Sequence, residues 1–121
     1  MKSGVLIVDD LQFVRISIKE VLEKEGIPIA GEAADGMAAL ELYEKTKPDI
    51  VLLDITMPVM DGLSALKFLK VRYPESNVIM CSALGQQKYI IRAIQLGASD
   101  FVVKPFKPER LISSIRKTLR G

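Results

Sequence analysis

Two short runs of the sequence decide the fold, Val5-Leu6-Ile7-Val8-Asp9-Asp10 and Ile50-Val51-Leu52-Leu53-Asp54. Each run is an unbroken apolar stretch of strand length that is followed by aspartate. Continuous apolar runs of this length are typical of parallel strands covered on both faces. The carboxylates leave the core at the strand ends, where their mutual repulsion has to be offset by a cation or by covalent chemistry. The two runs therefore predict a buried sheet with a reactive acidic site at one edge.

Strand and helix patterns alternate along the whole chain. The predicted strands span 5–8, 28–32, 50–53, 78–81 and 101–103. Between them the apolar residues take helical spacing, around 14–22, 36–45, 63–71, 86–96 and 109–119. The fourth of these helices is expected to bury Ile90, Ala93 and Ile94, and the fifth has an apolar stripe that extends to Leu119. Five βα units in strict alternation predict a single α/β domain, with one doubly wound parallel sheet between two layers of helices.

Topology places the acidic residues together. Ligands of doubly wound sheets bind outside the carboxyl ends of the strands, where the strand order reverses. In a five-stranded sheet of order 2-1-3-4-5, strands one and three are neighbours at that point, so Asp9, Asp10 and Asp54 are expected to share one edge. Oxygen ligands without histidine or thiolate suit Mg²⁺, with Mn²⁺ as the alternative.

Two further polar residues lie at the ends of the last two predicted strands. Around a phosphoryl group on Asp54, Ser82 could hydrogen-bond one oxygen and Lys104 could neutralise another. Lys104 precedes Pro105, and an X-Pro bond at such a point can be cis. Taken singly, the Asp9-Asp10 pair is as typical of a helix cap as of a site, and Ser82 is typical of a turn. The occurrence of all five polar residues at strand ends favours a site for a metal ion and a phosphoryl group.

Composition limits the possible chemistry. The 121 residues contain no histidine, which excludes imidazole bases, Ser-His-Asp triads and histidine-ligated zinc. The single cysteine, Cys81, lies in an apolar run and is expected to be a buried, inert thiol. No signal peptide and no membrane-spanning stretch is predicted, so we expect a cytoplasmic protein. The formal net charge of +2 does not by itself indicate nucleic-acid binding.

The basic residues are concentrated in the last third of the chain. From residue 88 onward eight lysines and arginines face only two acidic residues. A modest excess of basic residues usually indicates only that these side chains lie on the solvated surface of helices. The alternative is a docking face for an acidic partner, for which Arg92 and Lys117 are the candidate residues. The basic residues lack interleaved aromatic residues, which disfavours a nucleic-acid-binding module.

Several motifs occur together along the chain. They are the Asp9-Asp10 pair, Asp54 running into Met57-Pro58-Val59-Met60-Asp61-Gly62, Cys81-Ser82-Ala83, Gly97-Ala98, and Asp100-Phe101-Val102-Val103-Lys104-Pro105-Phe106. With them the sequence resembles the receiver domains of bacterial two-component response regulators, and within that family the stand-alone chemotaxis regulators. The resemblance covers essentially the whole chain, so residues 1–121 are expected to form one receiver domain. The family is itself an example of the 2-1-3-4-5 order, which is therefore not independent evidence.

The resemblance implies a role for each matching residue. Asp54 would accept a phosphoryl group from a sensor kinase histidine and form an acyl phosphate. Asp9, Asp10, Asp54 and the backbone carbonyl of Thr56 would hold Mg²⁺. Ser82 and Lys104 would contact the phosphoryl group. Phe101 would be an aromatic switch that turns inward when Ser82 moves toward the phosphoryl group, remodelling the face of the last two helices and strand five.

Three positions, Phe101, Leu84 and Thr56, differ from the best-known members of the family or vary within it. Phe101 stands where many relatives carry tyrosine, so its inward and outward states must differ by packing alone. Leu84, like Thr56, occupies a position that tunes access of water to the acyl phosphate. Because an apolar side chain offers the water no hydrogen bond, we expect a comparatively long-lived phosphoryl group.

The resemblance also implies partners. A sensor histidine kinase, expected to be of chemotaxis type, would supply the phosphoryl group to a monomeric protein. A flagellar switch component or a phosphatase would be the downstream protein partner, without nucleic acid or membrane. The alternatives are a receiver of another two-component or phosphorelay pathway, transcriptional or developmental, and a Mg²⁺-dependent phosphohydrolase with an aspartyl nucleophile. The phosphohydrolase alternative is disfavoured because such enzymes typically carry a second aspartate at the position of Thr56.

Overall fold

The computed structural model describes all residues 1–121, and in it five strands alternate with five helices. The strands are β1 (Val5–Val8), β2 (Ile29–Ala33), β3 (Ile50–Leu53), β4 (Val78–Ser82) and β5 (Asp100–Val103). The helices are α1 (Gln12–Lys24), α2 (Gly36–Thr46), α3 (Gly62–Arg72), α4 (Gln87–Gln95) and α5 (Pro108–Arg120). All strand pairs are parallel, and the sheet order β2-β1-β3-β4-β5 confirms the predicted topology.

The sheet separates two apolar clusters. On one face Leu6 and Val8 of β1 belong to the cluster that contains the buried residues of α2, α3 and α4. On the other face Val5 and Ile7 belong to the cluster formed with α1 and α5. Successive residues of a strand point to opposite faces, so a strand with core on both sides must be apolar at every position. This explains why the runs Val5–Val8 and Ile50–Leu53 are apolar throughout.

The ends of several elements differ slightly from the predicted ones. β2 begins at Ile29 rather than at Pro28, because proline has no N–H to donate; its carbonyl oxygen still accepts from the amide of Val5 at 2.9 Å. β4 extends one residue further than predicted, so Ser82 is its last residue. β5 begins at Asp100.

Two residues of the predicted apolar stripes are exposed, and Ile90 is only partly buried. Ile94 of α4 is 49% exposed, whereas the neighbouring Ala93 is completely buried. Successive helical residues are turned about 100° from each other, and only one side of this short helix contacts the sheet. Leu119 is 42% exposed because it lies in the last turn of α5, beyond the buried Ile115.

The cysteine behaves as predicted. Cys81 is a free, buried thiol, and its burial raises its pKa to about 12. The thiolate is therefore absent at neutral pH, and no reactive cysteine is present. None of the five helices combines the length and the apolar character that crossing a membrane requires.

Candidate metal and phosphoryl site

The three aspartates meet at the carboxyl ends of β1 and β3. These strands are paired in register, with Val8 opposite Leu53, so Asp9 and Asp54 leave the sheet side by side. The amide of Asp54 donates to the carbonyl of Val8 at 3.0 Å. Carboxylate oxygens of Asp9, Asp10 and Asp54 lie within 4.8 Å of one another. Asp9 and Asp54 are buried and Asp10 is exposed, so the cluster meets solvent at Asp10.

The segment after Asp54 folds back closely over the strand end. The amide of Gly62 donates to the carbonyl of Ile55 at 2.7 Å. A Cβ atom at Gly62 would lie 1.8 Å from the carbonyl oxygen of Asp54. Only glycine permits this approach, which accounts for the Asp61-Gly62 dipeptide: Asp61 caps α3 through the amide of Ser64, and Gly62 follows as the first helical residue.

Lys104 joins the acidic cluster from β5. Its Nζ lies 2.5 Å from Oδ2 of Asp9 and 3.4 Å from Oδ2 of Asp54. The Lys104–Pro105 peptide bond is cis. From the sequence Lys104 was expected to contact a phosphoryl oxygen, and its pairing with Asp9 was not predicted. In this structure the ammonium group offsets part of the repulsion between the two buried carboxylates.

The local environment shifts the pKa of both Asp54 and Lys104. Burial raises the pKa of Asp54, and the charge of Asp9 acts in the same direction, while Lys104 and the amide of Ile55 only partly oppose them. Burial alone would lower the pKa of Lys104, but the hydrogen bond to Asp9 and the charge of Asp54 outweigh it and raise this pKa. Lys104 therefore remains cationic within the site.

The donors of the site fit a hard divalent cation. The site offers carboxylate oxygens and no imidazole or accessible thiolate, which suits Mg²⁺ or Mn²⁺. Three carboxylates and one lysine leave two formal negative charges, which a divalent cation would neutralise. Thr56, the fourth predicted ligand, is an exposed residue of the loop between β3 and α3.

The other predicted residues lie on β4, in the loop that follows it, and on β5. Ser82 is buried at the end of β4, and its Oγ accepts from the amide of Leu84 at 3.2 Å, which is the turn bond that the simpler interpretation predicts. Leu84 is half-buried. Phe101 is 6% exposed, so its side chain is buried in this structure.

Fewer basic residues are available for binding a partner than the number in the sequence suggests. Arg92 and Lys117 are exposed and carry no ion pair, as a docking face requires. Arg110, however, pairs with Asp100 at 3.0 Å and Arg116 pairs with Glu25 at 3.0 Å. Together with Lys104, three of the eight basic residues therefore serve contacts within the protein.

Asp100 ties β5 to α5 beside Phe101. It accepts hydrogen bonds from Arg110, from Ser114 at 2.7 Å and from the amide of Phe101 at 2.8 Å. Burial acts to raise the pKa of Asp100, but these hydrogen bonds outweigh it and lower the pKa. Arg110 also donates to the carbonyl of Phe101 at 3.2 Å. The backbone of the predicted switch residue is thus held by α5.

Sequence reasoning missed Arg15 and Glu32. Arg15 donates to the carbonyl oxygen of Asp9 and to the carboxylate of Glu32. Helical spacing places Arg15 beside the apolar stripe of α1, but nothing in that pattern indicates that it turns back to Asp9.

Known proteins match this chain over nearly its full length. The model of the response regulator receiver domain family matches residues 5–116. The chemotaxis protein CheY of Bacillus subtilis is 50% identical over 119 residues, which cover 98% of this chain and 99% of the relative. CheY of Thermotoga maritima is 48% identical, with 97% and 98% of the two chains covered.

Solved structures agree with the sequence relatives. A chain in the crystal structure of the CheX–CheY–BeF3–Mg²⁺ complex from Borrelia burgdorferi superposes with a TM-score of 0.91 at 36% identity, covering 93% of this chain and 86% of that one. The receiver domain of NtrX from Brucella abortus has a TM-score of 0.90 at 35% identity, with 97% and 98% covered. Since the family model spans most of the chain and relatives are similar over their full length, the protein belongs to the response regulator receiver domain family and is a phosphorylatable receiver of the CheY type.

Proposed function

We propose that this receiver is a chemotaxis signalling switch in which Asp54 accepts a phosphoryl group from a histidine kinase. A carboxylate oxygen of Asp54 forms a bond to phosphorus while the bond from phosphorus to the kinase imidazole nitrogen breaks. The imidazole leaves with the bonding electrons and takes a proton from solvent. The product is an acyl phosphate on Asp54. The observation that carries the proposal is the meeting of Asp54 with Asp9, Asp10 and Lys104 at one strand edge.

The acidic pair provides the cation site in this proposal. Asp9, Asp10, Asp54 and the carbonyl of Thr56 would hold Mg²⁺, with Mn²⁺ as a substitute. When bound, the cation supplies positive charge against the phosphoryl oxygens. Asp10 is the exposed member of the cluster, so a cation can approach the site from its side. Mg²⁺ is present in the Borrelia CheX–CheY complex, which supports this assignment.

Lys104 and Ser82 would hold the transferred group. Lys104 already lies 3.4 Å from Asp54 and can turn its ammonium group from Asp9 toward a phosphoryl oxygen. The Ser82 hydroxyl uses its oxygen as an acceptor for Leu84 and can donate its hydrogen, and hydrogen bonding by Ser82 already acts to lower the pKa of Asp54. Each of these residues lies at the end of its own strand and needs only a side-chain movement.

The output surface in this proposal is the face of α4, β5 and α5. A movement of Ser82 toward the phosphoryl group would change the space available to Phe101 and so the surface beside it. Arg92 and Lys117 would attract an acidic segment of a downstream protein, for which a flagellar switch component or a phosphatase is proposed. The full-length similarity to CheY proteins supports a chemotaxis kinase as the phosphoryl donor.

We further propose that residues 1–121 form one receiver domain that acts as a cytoplasmic monomer. The single sheet with a core on each face supports the assignment to one domain. A receiver of this family is not a conventional enzyme, since its chemistry is limited to its own phosphorylation and dephosphorylation. The alternative of a Mg²⁺-dependent phosphohydrolase does not agree with membership of this family.

Phosphorylation by a small donor tests the proposal. The protein is incubated with Mg²⁺ and acetyl phosphate, and we expect an acid-stable, alkali-labile label on the wild type. Asp54→Asn should remain unlabelled. Asp61→Asn is the matched control, because asparagine also caps a helix and Asp61 lies outside the cluster. An unlabelled wild type, or equal labelling of Asp54→Asn, would exclude Asp54 as the acceptor.

A further inference from the structure

Arg15 holds the peptide unit between the two adjacent aspartates. It lies in the first turn of α1, and its side chain is 15% exposed. Its Nη1 donates to the carbonyl oxygen of Asp9 at 2.6 Å. That carbonyl belongs to the planar unit that joins Asp9 to Asp10, so this bond fixes the orientation of the plane from which the Asp10 backbone continues.

Arg15 is itself held by β2. Its Nε donates to Oε1 of Glu32 at 3.1 Å, and Lys19 Nζ lies 3.1 Å from Oε2 of the same carboxylate. Glu32 is paired in register with Ile7 of β1, two residues before Asp9. The hydrogen bonds from Lys19 and Arg15 lower the pKa of Glu32. The guanidinium group of Arg15 therefore connects the ionised carboxylate of Glu32 in β2 to the backbone at the end of β1.

Asp10 depends on this connection more than Asp9 does. The amide of Asp9 donates to Ala33 at 3.0 Å, and its carboxylate oxygens accept from the amide of Leu11 at 3.0 Å and from Lys104. The Asp9 side chain is thus held from several directions. Asp10 is exposed, and its carboxylate reaches the cluster through the direction of its backbone.

We propose that Arg15 is a positioning residue for the divalent cation site, acting through the carbonyl of Asp9 to present the Asp10 carboxylate. This inference rests on the proposed function, because it concerns the same site. Arg15 and Lys19 carry the same charge and share Glu32, but only Arg15 reaches Asp9. Lys19 therefore provides a matched control.

Loss of a positive charge and loss of the hydrogen bond from Arg15 to Asp9 are expected to have opposite effects on cation binding. Loss of a nearby positive charge by itself favours a bound cation, so Lys19→Met should bind Mg²⁺ as well as the wild type or slightly better. Arg15→Met also removes the bond that orients the backbone. Loss of outer partners of metal ligands typically weakens binding about 10–100-fold. We expect Arg15→Met to bind Mg²⁺ about tenfold more weakly than the wild type.

The experiment measures binding directly on the full unphosphorylated chain. Mg²⁺ is titrated calorimetrically into the wild type, Arg15→Met and Lys19→Met, and urea unfolding without divalent cations reports the stability of each. Arg15→Lys is the second variant: it keeps the charge, but a single ammonium group lacks the fork that reaches Asp9 and Glu32 together. We expect it to bind Mg²⁺ more weakly than the wild type as well.

The outcomes separate the two proposals. Weaker binding by both Arg15 variants, with Lys19→Met unaffected, would support the positioning role. Equal affinities for the wild type and both Arg15 variants would overturn it and leave the cation site intact. A loss of affinity in Lys19→Met that matches that of Arg15→Met would also overturn it, since the effect would then come from the disturbed pairing of Glu32 or from lost stability and not from the bond to Asp9. Failure of the wild type to bind Mg²⁺ would instead overturn the cation site of the proposed function.

Discussion

Replacement of Lys104 by methionine should destabilise the protein in a pH-dependent way. The side chains of Asp9 and Asp54 are 2% and 10% exposed, and Lys104 is the cation that lies between them. Unit charges 3.4 Å apart, the separation of Lys104 from Asp54, attract by about 5 kcal/mol at an effective dielectric constant of about 20. Removing one partner of a buried ion pair costs about 3–5 kcal/mol. We therefore expect the free energy of unfolding of Lys104→Met to be lower by about 3–5 kcal/mol near neutral pH without divalent cations.

The sign of the pH effect follows from Asp54. Burial already raises its pKa, and loss of the Lys104 charge would raise it further. A carboxyl whose pKa is higher in the folded state binds more protons there than in the unfolded chain, so stability falls as pH rises through the folded-state pKa. The difference between Lys104→Met and the wild type should therefore be largest near neutral pH and should shrink toward the ordinary aspartate pKa of about 4.

Urea unfolding followed by circular dichroism at two pH values is the assay. Lys70→Met is the matched control, because Lys70 is a half-buried lysine that donates to the carbonyls of Pro74 and Ser76 and to no carboxylate. Its loss of stability should not depend on pH. Asp54→Asn should partly restore Lys104→Met, since it removes a repulsion of about 3 kcal/mol between carboxylates within 4.8 Å. A pH-independent loss in Lys104→Met, or one below about 1 kcal/mol, would refute the reasoning.

Two predictions concern the phosphorylated protein and its output surface. Leu84→Glu should shorten the lifetime of the phosphoryl group, because a carboxylate can hydrogen-bond the attacking water; decay of label after removal of the donor measures it, and a longer lifetime in the variant would contradict the prediction. Joint replacement of Arg92 and Lys117 by glutamate should weaken binding of an acidic partner peptide by about tenfold, as measured by fluorescence anisotropy at low salt. Unchanged affinity would assign these exposed charges to solubility alone.

Much of the fold could be predicted because the decisive signals are local. β1 and β3 match the predicted bounds, since a strand with core on both faces has to be apolar throughout. The misplaced residues are those that depend on where the packing ends. Ile94 has the spacing of a buried residue but lies on the side of α4 that faces solvent, and Leu119 lies beyond the last core residue of α5. Hydrophobic spacing identifies a helix but does not show how much of its surface a neighbour covers.

The pairing of charges was less predictable than the position of the acidic residues. The meeting of Asp9, Asp10 and Asp54 follows from parallel topology, which brings successive strand ends to one edge. The number of basic residues after position 88 gave no sign that Arg110 and Arg116 form ion pairs within the protein. A long flexible side chain can reach several partners, and sequence position does not select among them.

By itself, the sequence determined the alternation of strands and helices, the layered sheet and the edge at which the acidic residues meet. These features follow from residue type and short-range periodicity, which act within a few residues along the chain. Only the tertiary structure decided that Lys104 contacts Asp9, 95 positions away, and that Arg15 connects Glu32 to the backbone of Asp9. Such contacts depend on distances of a few ångströms between side chains from different elements, and those distances are set only when the sheet and its helices pack together.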